Sequence, residues 1–304
     1  MNQIDNKQFN IDQFNEELYY LNETMELANF ESLRPKKFID CSVWAGGWPF
    51  YYLRYGKLKT LKEGLSKYNV SKAFVSPIDA ILEADPIRAD LVLFDEIDRF
   101  EMLQKEFICG NETIYKFFSP VPVVDLSMQN WTDVIDFSIL RNDVKIVKLL
   151  PNYHMYELTE TNMGNLIEYI EYTSKSGMII SIQMRIEDTR RHHPLMKVPD
   201  VDVIKLIKVL SYFPQQKFIV SNGYLGEVSE VLYSLENTYV DISSVEAEDA
   251  LLSLSFWIKK GRVLFSTHSA FYYPEGNIFK VAYSGLDEEC MNKITYKNAV
   301  ELLM

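Results

Sequence analysis

The chain has 304 residues, 47% of them hydrophobic and 24% charged, with a formal net charge of −12 and three cysteines that show no CxxC spacing. This ordinary composition fits a single α/β domain, while the charge argues against nucleic acid as a partner and the cysteines argue against a disulfide framework. The first residues lack a signal-peptide pattern and no window of about 18 apolar residues could span a membrane, so we expect a cytoplasmic protein without membrane contact.

The first predicted element is an N-terminal helix over residues 11–30. Its apolar side chains recur at steps of three and four, as in an amphipathic helix: Phe14, Leu18, Leu21, Met25 and Ala28. The pair Arg34-Pro35 ends it, because the residue before a proline disfavours the helical conformation. We therefore predict two parts, a helical extension over 1–36 and a larger domain over 37–304.

From residue 38 onward, short apolar runs alternate with longer helical stretches. The runs suit strands buried on both faces of a parallel sheet, because many are rich in Val, Ile and Phe. They are 38–44, 73–79, 118–125, 146–150, 178–184, 218–222, 239–243 and 263–268. The helical stretches are 57–68, 87–106, 131–140, 163–175, 201–213, 226–235, 247–259 and 287–303. Eight strands, each followed by a helix, predict an α/β fold of the (β/α)8 TIM-barrel type with an extra N-terminal helix.

The structural alternative is a doubly wound open sheet. Such a sheet needs a glycine-rich phosphate-binding loop after its first strand. The sequence there reads AGGW over 45–48, which is not GxGxxG. We therefore favour the closed barrel.

Several segments resemble, in the same order, motifs of the amidohydrolase-related family of metal-dependent hydrolases. The first strand, FIDCSVW over 38–44, is similar to a family strand that continues from Asp to His-x-His. Similar motifs follow at 145–153, 211–220, 239–243, 262–268 and 294–303, where the family has a Lys-Leu-Pro segment, the entry to strand six, strand seven, strand eight and an Asn-Ala closing helix. The resemblance covers residues 38–303 and implies a TIM barrel with hydrolase-like or lyase-like chemistry.

The resemblance also implies where a divalent ion, usually zinc, would be held. Ser42 and Trp44 stand at the two first-strand histidines, since alternate residues of a strand share one face. Gln183 and Asn222 stand at the histidines of strands five and six, and His268 stands at the strand-eight aspartate. Because Ser, Trp, Gln and Asn are poor ligands for zinc, we predict that the metal site is lost and that no cofactor is needed. Zinc or another divalent ion is the alternative.

The four histidines of the chain all fall in the predicted C-terminal loops or at a strand end: His154, His192, His193 and His268. One interpretation is a relocated acid–base or metal site. The other is ordinary loop packing, which we favour for His154 and for one of the adjacent pair. For His268 we favour a functional role, because strand ends in this fold point into the pocket.

Two basic residues are predicted at the same face of the barrel. Arg185 could clamp a carboxylate or phosphate, or could belong to an internal ion-pair cluster with Glu187 and Asp188, and we weigh the two equally. Lys148 is predicted to point inward, where it needs a charged partner or a shifted pKa and could bind an anion or form an imine. The aromatic residues over 44–52, with Tyr272 and Tyr273, could stack on a ring-shaped ligand or pack under the N-terminal helix.

The pattern therefore predicts a protein that binds or transforms a small polar or anionic molecule at the C-terminal mouth of the barrel. We assign His268 and Lys148 to catalysis, His268 as general acid or base without a metal. We assign the remaining site residues to substrate binding: Ser42, Trp44, Gln183, Arg185, Asn222, His192 and His193. One alternative is a catalytically inactive binding or scaffold barrel, in a homodimer. Another is a metal-dependent hydrolase with a relocated histidine site.

Overall fold

The computed structural model describes residue 35 and residues 37–106, 116–174, 177–194 and 196–304. The helix predicted over 11–30 and Cys109 lie outside the described residues. Within the described part, no helix combines the length and the apolar character that a membrane crossing requires.

The described residues form nine strands, which are paired in parallel throughout: β1 (Phe38–Ala45), β2 (Val70–Pro77), β3 (Phe118–Pro120), β4 (Val123–Val124), β5 (Ile146–Leu149), β6 (Ile179–Gln183), β7 (Phe218–Ser221), β8 (Thr238–Asp241) and β9 (Val263–Leu264). Their order is β1-β2-β3 in one sheet and β4 to β9 in sequence in the other. The eight predicted strands are all present. The third is divided into β3 and β4 around Pro122, which has no N–H to donate to a ladder.

Backbone hydrogen bonds connect the two sheets at both edges. Between β3 and β4, the Val121 amide donates to Val75 at 2.7 Å and the Lys148 amide donates to Pro122 at 2.8 Å. At the other edge, the Cys41 amide donates to Phe265 at 3.0 Å and the His268 amide donates to Ser42 at 3.1 Å. The first and last strands are therefore hydrogen-bonded neighbours, as the predicted barrel requires.

The described helices are α1 (Leu58–Ser66), α2 (Pro86–Glu106), α3 (Trp131–Ile139), α4 (Glu160–Thr173), α5 (Val203–Leu210), α6 (Leu225–Ser234), α7 (Ala250–Ser253), α8 (Ser255–Lys259), α9 (Pro274–Ala282), α10 (Glu288–Asn292) and α11 (Asn298–Leu303). The stretch predicted over 247–259 is interrupted at Leu254, and a π-helical segment, Lys293–Lys297, separates α10 from α11. Helix α9 was not predicted, although Pro274 at its first position is a common helix start.

A register shift interrupts β1 between Asp40 and Val43. Strict alternation predicted that Asp40, Ser42 and Trp44 share one face, and all three are buried near Lys148 despite this shift. The carboxyl group of Asp40 accepts hydrogen bonds from the amide and hydroxyl of Thr267, at 3.1 and 2.6 Å, whereas the Ser42 hydroxyl accepts a bond from Lys148 at 2.9 Å. The side chains of Asp40 and Ser42 therefore form hydrogen bonds with different residues.

Candidate functional site

Six of the predicted site residues come together at the carboxyl ends of the strands, and none is more than 2% exposed: Ser42, Trp44, Lys148, Gln183, Asn222 and His268. Five of them contact one another, and Gln183 donates to the Arg185 backbone oxygen, which also accepts a bond from Asn222. The Lys148 ammonium lies 4.2 Å from the centre of the Trp44 ring, and the amide nitrogen of Asn222 lies 3.4 Å from Nε2 of His268. We call this set, together with Asp40 and Asp241, the interior network.

His268 is held by hydrogen bonds at both ring nitrogens. Its Nδ1 accepts the indole N–H of Trp44 at 3.1 Å, and its Nε2 lies 2.8 Å from the carbonyl oxygen of Ile186. Since Nδ1 accepts, the proton must sit on Nε2 and is donated to Ile186. Burial lowers the pKa of His268 to about 3. The ring is therefore neutral near pH 7, with neither nitrogen available to a ligand unless a hydrogen bond is broken.

Lys148 and Asp40 place an amine and a carboxyl group in the same interior. Burial lowers the pKa of Lys148 to about 7, against the attraction of Asp241 and Asp40. Burial likewise raises the pKa of Asp40 to about 7, against the hydrogen bonds from Thr267. Both groups therefore titrate near neutrality, where perturbed groups often mark functional sites.

Asp241 is an organising residue that the sequence analysis did not single out. Its carboxylate accepts bonds from the hydroxyl and amide of Ser243, at 2.6 and 2.9 Å, and from the amide of Asn222 at 3.3 Å. Asn222 and His268 both have a positive φ, of 60° and 55°, which is uncommon outside glycine. A carboxylate at the end of a buried strand must find donors, and that rule could have identified Asp241 from sequence.

Arg185 is part of an internal ion-pair cluster, with other partners than those predicted. Its guanidinium lies 3.0 Å from Asp200 and 2.5 Å from Glu227, and it donates to the backbone oxygen of Asn222 at 2.7 Å. It also stacks at 3.7 Å on the ring of Tyr224. The expected partners, Glu187 and Asp188, bond instead to Tyr51 and to Arg190. The prediction of those two partners is therefore wrong, because the carboxylates that reach Arg185 come from the far end of its loop, Asp200, and from α6, Glu227.

The remaining histidines each contact a different partner. His154 Nε2 lies 2.9 Å from the Ala80 oxygen, His192 Nδ1 accepts the Val198 amide at 3.4 Å, and His193 stacks on Phe50 at 5.3 Å. Within the described ranges, no group of three or more His, Cys, Asp or Glu side chains could hold a metal ion.

The divalent ion that the resemblance implies does not fit the interior network as it is built. His268 is the only imidazole there, and its Nδ1 lone pair already receives the Trp44 indole proton. Ser42 accepts its bond from the Lys148 ammonium, a like charge that would repel a metal cation.

A cavity of about 140 Å³ lies in the loops after β1, β6 and β9. We call it the rim cavity. The residues that matter in its wall are two arginines and four aromatic residues: Arg54, Arg191, Tyr51, Tyr55, Phe271 and Tyr272. The Arg54 guanidinium lies 5.4 Å from the Tyr55 ring, and that of Arg191 lies 5.5 Å from the Tyr51 ring and 4.0 Å from Glu187.

Two of these aromatic residues also contact the interior network. The rings of Phe271 and Tyr272 lie 5.5 and 4.9 Å from the ring of His268. The rim cavity and the interior network are thus separated by one aromatic layer. The sequence analysis named the aromatic loops but not Arg54 or Arg191, because exposed arginines carry no periodic signal.

Comparison with known proteins defines the fold. No protein-family model matches the chain, and no curated protein matches it in sequence. Solved structures do match: a candidate amidohydrolase from Staphylococcus aureus has a TM-score of 0.61 at 12% identity, covering 88% of this chain and 99% of that one. A TIM-barrel protein from Bordetella bronchiseptica has a TM-score of 0.58 at 13% identity, covering 88% and 98%.

A third match is 5-carboxyvanillate decarboxylase from Novosphingobium aromaticivorans, whose structure contains manganese and 4-hydroxy-3-methoxy-5-nitrobenzoic acid. It has a TM-score of 0.58 at 10% identity and covers 88% of this chain and 95% of that one. The predicted α/β TIM-barrel fold is therefore confirmed, and these solved structures share it.

Proposed function

We propose that this protein is an amidohydrolase-type barrel that binds a small organic carboxylate in the rim cavity, without the metal site of the family. One observation carries the proposal. Apart from the Gln183 side-chain oxygen, the polar groups of the interior network are at most 2% exposed and hydrogen-bonded within the protein, whereas the rim cavity presents two arginines against aromatic walls.

The size and chemistry of the rim cavity favour a carboxylate with a single ring. A cavity of roughly 150 Å³ can hold benzene, and the rim cavity measures about 140 Å³. A guanidinium pairs with a carboxylate through two parallel hydrogen bonds, and aromatic walls stack on a planar ligand. The decarboxylase with the same fold holds a benzoic acid derivative, so benzoate is the first probe to use.

Retained catalysis is the second candidate function. It is favoured by the pKa values of about 7 for both Lys148 and Asp40, since an amine near neutrality can transfer a proton or attack a carbonyl. In that case the predicted catalytic roles of Lys148 and His268 apply, and Phe271 and Tyr272 would have to move to admit a substrate. A barrel that serves only as a scaffold, in a homodimer, would bind nothing in the rim cavity.

Calorimetric titration with benzoate tests the proposal. We expect Arg191→Gln to weaken benzoate binding about tenfold, equal to ~1.4 kcal/mol, because a charge-assisted hydrogen bond is lost. Arg190→Gln is the matched control, since the Arg190 side chain is 88% exposed and pairs with Asp188 instead. Neutral benzamide should bind more weakly than benzoate.

Two results would contradict the proposal. One is equal affinity for benzoate and benzamide in the unmodified protein. The other is stoichiometric tightly bound zinc or manganese in the purified protein, which would restore the metal-dependent alternative.

A further inference from the structure

A larger groove lies beside the rim cavity, along α1 and α2. Its volume is about 700 Å³. Apolar side chains from three parts of the chain line it, among them Leu53, Phe100 and Leu103, and Leu103 is 55% exposed. An exposed apolar surface of this kind is stabilised when a second apolar surface covers it.

The charged residues around this groove are mainly basic. Arg54, Lys57 and Arg99 line it, against one acidic residue, Glu96, although Arg99 already pairs with Asp95 at 2.8 Å. In a chain with a net charge of −12, such a basic border is a local exception. It favours an acidic occupant.

Residues 11–30 of the same chain have the matching chemistry. This segment contains five acidic residues and no basic one: Asp12, Glu16, Glu17, Glu23 and Glu26. Its apolar residues at helical spacing form the stripe identified above. The segment lies outside the described residues, so the match rests on its sequence.

The described chain begins at the end of α1 that lies opposite the groove. The backbone oxygen of Pro35 accepts a hydrogen bond from the side chain of Asn69 at 3.4 Å, and Asn69 lies three residues beyond the end of α1. The N-terminal segment therefore joins the barrel beside the helix whose other end lines the groove. A helix of 20 residues is about 30 Å long, roughly twice the length of nine-residue α1.

We propose that residues 11–30 dock in this groove as an amphipathic helix, with the apolar stripe on Leu53, Phe100 and Leu103 and the acidic residues toward Arg54 and Lys57. The groove and the rim cavity share Tyr51, Tyr52, Leu53 and Arg54. The docked helix therefore borders the rim cavity and competes with its ligand for Arg54. The docking itself does not depend on the proposed carboxylate binding.

Photo-crosslinking in the full chain tests this docking. Tyr52 lines the groove and is 88% exposed, so replacing it with p-benzoylphenylalanine is tolerated by the fold. Tyr172 on α4, which is 87% exposed, is the matched control position. We expect irradiation of the Tyr52 variant to link it to a peptide within 11–30 in the same molecule, at a yield at least fivefold above the control.

Three outcomes would overturn the proposal: a yield no higher than the control, a link to any other segment, or a covalent dimer, which would mean that a second copy fills the groove. As a second measurement, Lys57→Glu should lower the yield severalfold, and adding Glu16→Lys with Glu17→Lys should restore it. Failure of that restoration also counts against the proposal. None of these readouts involves benzoate, so the docking and the carboxylate binding can fail separately.

Discussion

The interior network and the rim cavity are adjacent, but the charged side chains of the network are buried whereas those of the cavity are exposed to solvent. In the network, Lys148 and His268 are at most 2% exposed and are bonded to Ser42, Trp44 and Ile186. In the rim cavity, the Arg191 side chain is 52% exposed, and its nearest carboxylate, Glu187, is 4.0 Å away. Phe271 and Tyr272 form the layer between them.

This difference distinguishes two roles that a polar residue at the mouth of the barrel can have, a structural role and a ligand-binding role. Buried polar groups whose bonds are satisfied within the protein support a unique arrangement of the barrel. Exposed guanidinium groups beside aromatic rings keep bonding capacity for a ligand. The four predictions below test whether the two regions differ as described, from the largest expected effect to the smallest.

The largest expected effect is the loss of folding stability at low pH that His268 causes. Its folded pKa of about 3 lies below the ordinary value of 6.5, so between these pH values the unfolded chain binds one more proton than the folded protein. Folding stability should therefore fall as the pH drops through this window, by up to about 1.4 kcal/mol per pH unit from this residue. His268→Gln should lack this contribution.

Asp40 complicates that measurement and provides its control. The pKa of Asp40 is raised from 3.8 to about 7, so the folded protein binds the extra proton and stability rises as the pH falls from 7 to 3.8. The two slopes oppose each other in the wild type. Denaturant unfolding of His268→Gln and Asp40→Asn at pH 4 to 7 should shift the slope in opposite directions. A wild-type slope in both variants would show that the interior network is not sealed from water.

The second prediction is that Lys148→Met stabilises the protein. The folded pKa of about 7 lies below 10.5, so the unfolded chain binds the extra proton between these values and wild-type stability rises with pH through this window. Replacing the buried amine by an apolar side chain of similar size removes this desolvation cost, which is about 1.4 kcal/mol for each pH unit below the unfolded pKa. We expect the resulting gain in stability at pH 7, shrinking toward pH 10.5, in denaturant unfolding. A loss of stability at all pH values would mean that the Lys148 ammonium is required by its partners.

The sequence predicted the fold far better than the site. Eight apolar runs sufficed for the strands, because burial on both faces leaves a composition signal in each strand. The positions of Ser42, Trp44, Gln183, Asn222 and His268 also followed, because alternation and strand ends fixed them. The bonding did not follow: Trp44 to His268 spans 224 residues, and Arg185 to Glu227 spans 42. Such pairs depend on which loops meet in space.

The third prediction concerns Trp44→Phe, which keeps an aromatic but smaller side chain and removes the indole N–H. Nδ1 of buried His268 then has no donor, and an unsatisfied buried acceptor costs about 1–3 kcal/mol. Thermal or denaturant unfolding should detect this loss. Trp48→Phe is the matched control, because the buried Trp48 indole N–H has no hydrogen-bond partner in the described structure. Equal losses in both variants would assign the effect to ring size instead of the Trp44 bond.

The smallest expected effect is a difference in salt dependence between benzoate binding in the rim cavity and the pKa of Lys148 in the interior network. Charges that are exposed to water are screened beyond about 10 Å at 0.1 M salt and beyond about 3 Å at 1 M, whereas buried groups are screened much less. Raising the salt concentration through this range should weaken benzoate binding severalfold, because Arg54 and Arg191 face solvent. The pKa of Lys148, followed by nuclear magnetic resonance of its side chain, should stay near 7 over the same range, because this side chain is 2% exposed. If the pKa of Lys148 changes with salt as benzoate affinity does, water and ions reach the interior network. The layer formed by Phe271 and Tyr272 would then admit solvent instead of excluding it.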